Sequence, residues 1–425
     1  MPATSHARRN PRIEVLRLVA VVAVTVFHVF QTWFSAATAG TWDCGTPTLA
    51  LLGITSLLGA FGNHVFYMVS GMFLVPGAAA RSHDADFWPG EGRRLARRAL
   101  PIVATVALYA PVALAVSTWV VPIEGVAVGE VEWLVGGLEF IWVYLVLVAL
   151  SPVVGWAWAR WRHHGALVGA LVVVVWAVNA YIAFVSPGEE LRSLLEWRKL
   201  MSAVSYLVAF LVGGELGARR PARRPRARAA LVGAAAACVA AETAAACAGD
   251  LSLMAALSYK STSLLSFALA VAAVALAASE PEGADATLAT EDAGTATEGV
   301  PEAAGDAMDA PKAPVTLAGA QPEAPTTAPT APVSPAGASP RGGLAARAER
   351  VTPAILGFYV AQSMFLNLWR PAVESACAAA LAAAGEAAFV ACGLVLACAL
   401  VAALLFVDLH LRVPLLRRLD LIASQ

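Results

Sequence analysis

Apolar residues in this chain do not alternate with polar ones. They come in long blocks, separated by short polar stretches that are often rich in arginine. A helix that crosses a bilayer needs about 20 mostly apolar residues. Ten segments answer to that pattern: 13–34, 49–75, 99–121, 134–158, 165–185, 199–217, 229–248, 255–278, 353–369 and 386–408. The pattern predicts an all-α polytopic membrane protein with about ten transmembrane helices. The rhythm stops between the eighth and ninth blocks. Residues 279–350 hold ten prolines, twenty alanines and no aromatic residue. Such a composition buries too little apolar surface to offset chain entropy and predicts a disordered linker. The expected organisation is a membrane core over 1–278 (helices 1–8), a linker over 279–350, and a second core segment over 351–425 with helices 9–10 and a basic tail. The linker suits either a neutral spacer or a docking segment.

Charge orients this arrangement. Cytoplasmic loops of membrane proteins carry an excess of Lys and Arg. With the N-terminus inside and strict alternation, 23 of the 29 basic residues fall in cytoplasmic segments, five fall outside, and Arg17 lies in the first span. Both termini are therefore expected in the cytoplasm. The first apolar block follows a basic N-terminus and lacks a small-residue cleavage site, so it reads as a signal-anchor that stays.

Composition narrows the class further. The chain has 425 residues, 59% of them hydrophobic and 14% charged; ordinary globular domains carry about 25% charged residues. That excludes a large soluble enzyme, a nucleic-acid binder and a disordered protein. Only three basic residues are lysine, and the Arg and Ala bias points to a high-GC bacterial genome and hence to the bacterial plasma membrane. The six cysteines form no CxxC pair, and most sit in apolar runs. No metal site and no disulfide framework are expected. No pair of Gly/Pro-broken helices marks an inverted-repeat transporter.

Polar groups inside spans are expensive and therefore candidates for function. The first span carries Glu14, Arg17, His28 and Gln31. Eleven residues at 100° each place Arg17 and His28 on one helix face, about 16 Å apart along the axis. Glu14 precedes Arg17 by three residues, a spacing at which the two pair. A fixed cation near the inner end suits the phosphates of a nucleotide-bearing donor. An imidazole deeper in suits deprotonation of a hydroxyl acceptor or covalent carriage of a group. The same residues also suit snorkelling by Arg17 to the headgroups and a helix–helix hydrogen bond by His28. The second span offers His64 beside Asn63, and a Ser70-Gly71 pair where another helix can approach closely. At the entry to the third, Arg93, Arg94, Arg97 and Arg98 form a basic stripe suited to topology, anionic lipid or donor phosphates. Trp142 lies in the fourth span, and Tyr359 and Gln362 in the ninth.

In sequence order these residues resemble the signature of the integral-membrane acyltransferase-3 family. An acidic residue, an arginine and, after ten residues, a histidine appear as Glu14, Arg17 and His28. FYMVSGMFL resembles the family's Phe-Phe-x-x-Ser-Gly-Phe stretch, and RRLARRALP its Arg-rich entry to the third helix. IWVYLVLVALSPVV and ILGFYVAQSMF resemble its Trp- and Pro-bearing span and its late Tyr-x-x-His helix, with Gln362 where histidine is common. The resemblance covers nearly the whole chain outside the linker. It implies a membrane O-acyltransferase that takes an acyl group, most often acetyl, from cytoplasmic acyl-CoA to a hydroxyl of a cell-envelope glycan, glycolipid or related lipid-linked acceptor. His28 would be catalytic. Arg17, with Arg93, Arg94, Arg97 and Arg98, would hold the donor or its channel, supported by Glu14, Gln31, His64, Ser70, Trp142, Tyr359 and Gln362. Acyl-CoA would act as co-substrate, with no bound cofactor and no nucleic acid. The alternative is a multi-helix exporter of a glycan intermediate.

Overall fold

In the computed structural model the described residues are 10–130, 132–185, 194–219, 226–258, 262–279 and 343–421. Among them there are helices and no strands. Chain order gives α1 (Pro11–Thr38), α2 (Thr46–Arg81), α3 (Phe87–Trp119), a single turn α4 (Glu132–Val135), α5 (Glu139–Arg160) and α6 (His164–Ala180). A π-helical turn (Tyr181–Val185) extends α6. There follow α7 (Leu194–Ala218), α8 (Ala227–Ala248), α9 (Leu251–Leu257), α10 (Leu264–Ala277) and α11 (Leu344–Val351). The chain closes with α12 (Ile355–Val407), a π turn (Asp408–Arg412) and α13 (Val413–Arg418).

The ends of these helices follow from local chemistry. α1 starts at Asn10, whose side-chain oxygen accepts from the Arg12 N–H, with Pro11 at the first helical position. α2 has Gly45 before it and no cap of its own. Its opening is held from elsewhere in the chain: Glu386 accepts from the Gly45 N–H at 2.7 Å and from the Thr48 hydroxyl at 2.5 Å. α8 closes on Gly249 at φ +66°, and Asp250 then caps α9 by accepting from the Leu253 N–H.

Among the described residues, eight helices are long and apolar enough to cross a membrane. The last of these runs continuously from Ala348 to Arg418, which is too long for one crossing. It folds back at Gly385, whose φ of +78° and ψ of −169° only glycine adopts readily. Cys392 lies against Ala376, Asp408 against Gly357, and Arg412 against Pro353. These pairs centre close to Gly385, so α12 is an antiparallel hairpin of two arms. The ninth and tenth expected spans are those arms, the first continuing past Pro371 to Ala384.

Two expectations change. The eighth span, read as one helix over 255–278, is broken. Ser258 ends α9 and Ser263 caps α10, whose 14 residues are short for a crossing. The serines offer the backbone alternative hydrogen bonds, and hydropathy alone does not register that. The linker read over 279–350 falls mostly outside the described residues, but its last residues, 344–350, are helical, and Ala348 is fully buried.

α2 is the axis of the bundle, packing on α1, α5, α7, α8 and α10. Its crossing with α7 is close because glycine faces backbone: Gly71 meets the Phe210 carbonyl, Gly213 that of Met68, and Gly217 that of Met72. A Cβ at any of the three would collide with main chain, which is the logic of small-residue crossings in membranes. The Ser70-Gly71 pair is thus a helix-approach site, as its sequence suggests. The arginine-rich segments gather at one end of the bundle, called the basic end below. Asn10 donates to the Ala277 carbonyl, Arg160 to that of Ser82, and Thr352 to Glu14. Both ends of the described chain lie there.

A buried ion pair locks the hairpin. Arg412 donates from Nε to Asp408 at 2.6 Å and from a terminal nitrogen at 2.7 Å. It also reaches the Pro353 carbonyl and the Thr105 hydroxyl, while Tyr109 donates to Asp408 at 2.8 Å. The sequence placed Arg412 in the basic tail. It is instead 1% exposed, because its four hydrogen bonds, to Asp408, the Pro353 carbonyl and the Thr105 hydroxyl, replace water. Removing one partner of such a pair strands the other. Asp408→Ala is expected to destabilise the protein by about 3–5 kcal/mol, read as a lowered unfolding midpoint in detergent, with the double variant Asp408→Ala/Arg412→Met less harmed.

Candidate functional site

α1 carries the leading candidates along one unbroken helix, so the spacing of about 16 Å between Arg17 and His28 stands. At the basic end the Arg17 guanidinium donates to both Glu14 oxygens, at 3.1 and 3.2 Å. Glu14 is buried and accepts a further bond, at 2.6 Å, from Thr352 in the turn before α12. Arg17 also lies 5.7 Å from the centre of the Phe73 ring of α2. Its electrostatic reach includes the Tyr144 hydroxyl of α5, which Arg98 of α3 also reaches. Ser70 donates to the Phe66 carbonyl at 2.8 Å, and the Phe66 ring packs on that of Tyr144, on which Ser70 also acts. Arg17, Arg98, Ser70 and Tyr144 therefore converge from four helices.

The basic stripe divides by helical geometry. Arg94 and Arg98, four residues apart, turn inward and are half-buried; Arg93 and Arg97 are exposed. Arg93 lies 3.9 Å from Asp86. Arg94 bonds Glu91 at 3.0 Å, and Glu91 also accepts from Arg81 Nε at 2.7 Å. Glu91 is 1% exposed and its second oxygen has no partner among the described residues. Arg81 and Glu91 were missed in the sequence. Their signal was present in the three-residue step from Glu91 to Arg94, but Arg81 belongs to another helix and only the fold brings it near.

Toward the other end, α1 and the first arm of α12 run side by side in the same direction, Glu14 level with Thr352 and Thr25 level with Gln362. Gln362 donates to the Thr25 hydroxyl at 3.4 Å and so braces α1 one turn before His28. Gln31, one turn further along α1, and Arg370 of α12 both act on the imidazole electrostatically. His28 Nδ1 is buried without a partner among the described residues. The same holds for Trp33 Nε1 on α1, and for Trp369 Nε1, Arg370 Nε and Glu374 Oε1 on α12. Trp33 and Trp369 pack on one apolar cluster with Phe30, Val373 and Phe389. Unmatched donors and acceptors away from water are costly, and five within one stretch of the α1–α12 seam mark a place for polar ligand atoms. Arg370, Glu374 and the two tryptophans did not stand out in the sequence, where Arg370 counted only as an outer-loop charge.

Three expected supports lie elsewhere or act by packing. His64 is fully buried against the rings of Trp176, Tyr206 and Phe267, on the α6–α7–α10 side of α2. Trp142 donates to the Leu134 carbonyl and ties α5 to the α4 turn. Tyr359 stacks on Phe140 and meets Phe66 edge-on, at a depth between Arg17 and His28, and its hydroxyl has no partner among the described residues.

A family model described as an acyltransferase domain matches residues 10–286, from the cap of α1 past the end of α10. No curated protein and no solved structure matches the chain.

Glu14 is the clasp between α1 and the chain before α12. Glu14→Gln keeps its size but removes the charge that holds Arg17 and Thr352, a loss of about 1.5–3 kcal/mol. Hydrogen–deuterium exchange is expected to rise together in 11–18 and 344–354, with 59–75 unchanged.

Proposed function

The chain belongs to the acyltransferase-3 family and is a multi-pass membrane acyltransferase, and from that premise we propose that it moves an acyl group, by preference acetyl, from acyl-CoA to a hydroxyl of a cell-envelope glycan or glycolipid. In this reading the basic end faces the cytoplasm of a bacterial cell and receives the donor. Arg17 and Arg98 hold its phosphates, with Arg94 and Arg81 adding positive potential around the Glu91 anchor. The pantetheine arm then runs along the α1–α12 seam past Tyr359. The acyl thioester reaches His28, where Arg370, Glu374, Trp33 and Trp369 receive a polyhydroxylated acceptor from the opposite side. Indole rings and charged hydrogen-bonding groups suit the apolar faces and hydroxyls of a sugar.

The chemistry needs one proton carrier. His28 takes the proton from the acceptor hydroxyl as its oxygen attacks the thioester carbonyl carbon. The new C–O bond forms, the C–S bond breaks, and the proton goes to the departing CoA sulfur. No net proton is gained or lost, so a single imidazole suffices. Gln31 orients the ring, and Gln362 holds the backbone below it through Thr25. The observation that carries the reading is the shared seam: one helix presents a paired arginine at one end and an imidazole with an unmatched nitrogen about 16 Å further on.

The test uses membranes bearing the full chain and acetyl-CoA labelled in the acetyl group. Label is expected in a glycan or lipid fraction. His28→Ala is expected to lower its rate of appearance by about 10²–10⁴-fold at unchanged protein level. Arg17→Ala and Arg98→Ala are expected to raise the donor KM, whereas Arg93→Ala and Arg97→Ala, being solvated, leave it within about twofold. Full activity in folded His28→Ala protein sinks the catalytic assignment. Equal effects from all four arginines sink the division of the stripe.

A further inference from the structure

A groove of about 660 Å³ opens at the basic end between α1, α2, α8 and α10. It lies apart from the seam just described. Its walls are apolar: Val15 and Val19 from α1, Phe61 from α2, Leu231 from α8, and Ala273 and Leu276 from α10. Its mouth is not. Arg12 and Arg228 stand there, both exposed, one in the first turn of α1 and the other in the first turn of α8. Arg12 spends one weak contact, at 3.4 Å, on the Ser279 carbonyl.

Three features point to the occupant. Two helices begin at this mouth and α10 ends there, so one positive helix end is left uncompensated beside the two guanidinium charges. The wall below the arginines rises about one to two turns along α1 with no charged side chain on it, which suits hydrocarbon and not a solvated cofactor. One flank is open to the surroundings of the bundle, Val19 being 46% exposed at a level where a spanning helix meets lipid. A cationic rim above an apolar slot at the membrane surface is complementary to one class of molecule, an amphiphile with an anionic head.

We propose that this groove is a binding site for an anionic phospholipid, its phosphate held between Arg12 and Arg228 and an acyl chain lying against Val15, Val19, Phe61 and Leu231. The site rests on the membrane reading and not on the transferase reading. It bears on the reaction because α1 forms one wall: a lipid seated there fixes the first turns of the helix, which also carry Glu14 and Arg17.

The experiment is lipid retention by the purified full chain. The protein is placed in nanodiscs of phosphatidylcholine with a minor fraction of phosphatidylglycerol, released, and its bound lipids counted by native mass spectrometry. Phosphatidylglycerol is expected to be retained above its share. The double variant Arg12→Gln/Arg228→Gln is expected to lower retention by roughly ten- to thirtyfold. Ala273→Leu, which narrows the slot, is expected to lower it with the arginines intact. The glutamine variant alters only exposed side chains, so the test stands even where Ala273→Leu fails to fold. Equal retention of phosphatidylcholine, or retention unchanged in the glutamine variant, overturns the proposal. Displacement of the lipid by CoA at equimolar concentration also overturns it, because the groove would then belong to the donor.

Discussion

The arrangement of this protein depends on one carboxylate. Glu14 sits in the first turn of α1 and is 5% exposed. It binds Arg17 on its own helix and Thr352 on a segment 338 residues away. That double engagement sets the register between α1 and the first arm of α12. Once the register is fixed, Thr25 meets Gln362 and His28 comes under the influence of Arg370. A shift of one turn would separate every one of these pairs. In water such a clasp would contribute little; inside an apolar slab the alternative is an unpaired charge, and the clasp becomes obligatory.

The buried polar groups sort into two kinds. Asp408 and Arg412 are engaged: between them they meet Tyr109, Thr105 and the Pro353 carbonyl, and neither keeps a buried atom without a partner among the described residues. Their role is to close the hairpin onto α3. The seam residues are the reverse. His28, Tyr359, Arg370 and Glu374 each keep an unmatched buried atom among the described residues. Satisfied networks specify a fold, and unsatisfied ones are where a structure departs from its own rules for the sake of chemistry. Glu91 stands between the two, one oxygen held by Arg81 and Arg94 and the other unmatched.

Much of this was legible in the chain. Apolar block length located most of the helices, because the bilayer constraint acts on length, although α3 begins twelve residues before its block and the first arm of α12 runs fifteen past its own. Helical periodicity placed Arg17 and His28 on one face and paired Glu14 with Arg17, because both relations lie within one helix. Contacts between helices were not legible. Thr352, Arg370 and Glu374 are remote in sequence from α1, and no local period announces them. The break at Ser258–Ser263 was hidden because hydropathy averages over serines that act through hydrogen bonds. Arg412 misled for a related reason: an arginine just beyond an apolar run looks solvated until its aspartate, four residues earlier, is seen to turn inward with it.

The order in which the site is made follows from the Glu14–Thr352 clasp. Ribosomes add roughly 5–20 residues each second. The partner of Glu14 is therefore synthesised about 20–70 s after Glu14 itself, when the first helix has long since left the ribosome. During that interval α1 carries an arginine, a histidine and a glutamate with no completed seam to receive them. Assembly of the proposed site is thus a late step in biogenesis. A chain truncated anywhere before the last hairpin would present the same incomplete α1 to the membrane's quality-control proteases, whatever the point of truncation.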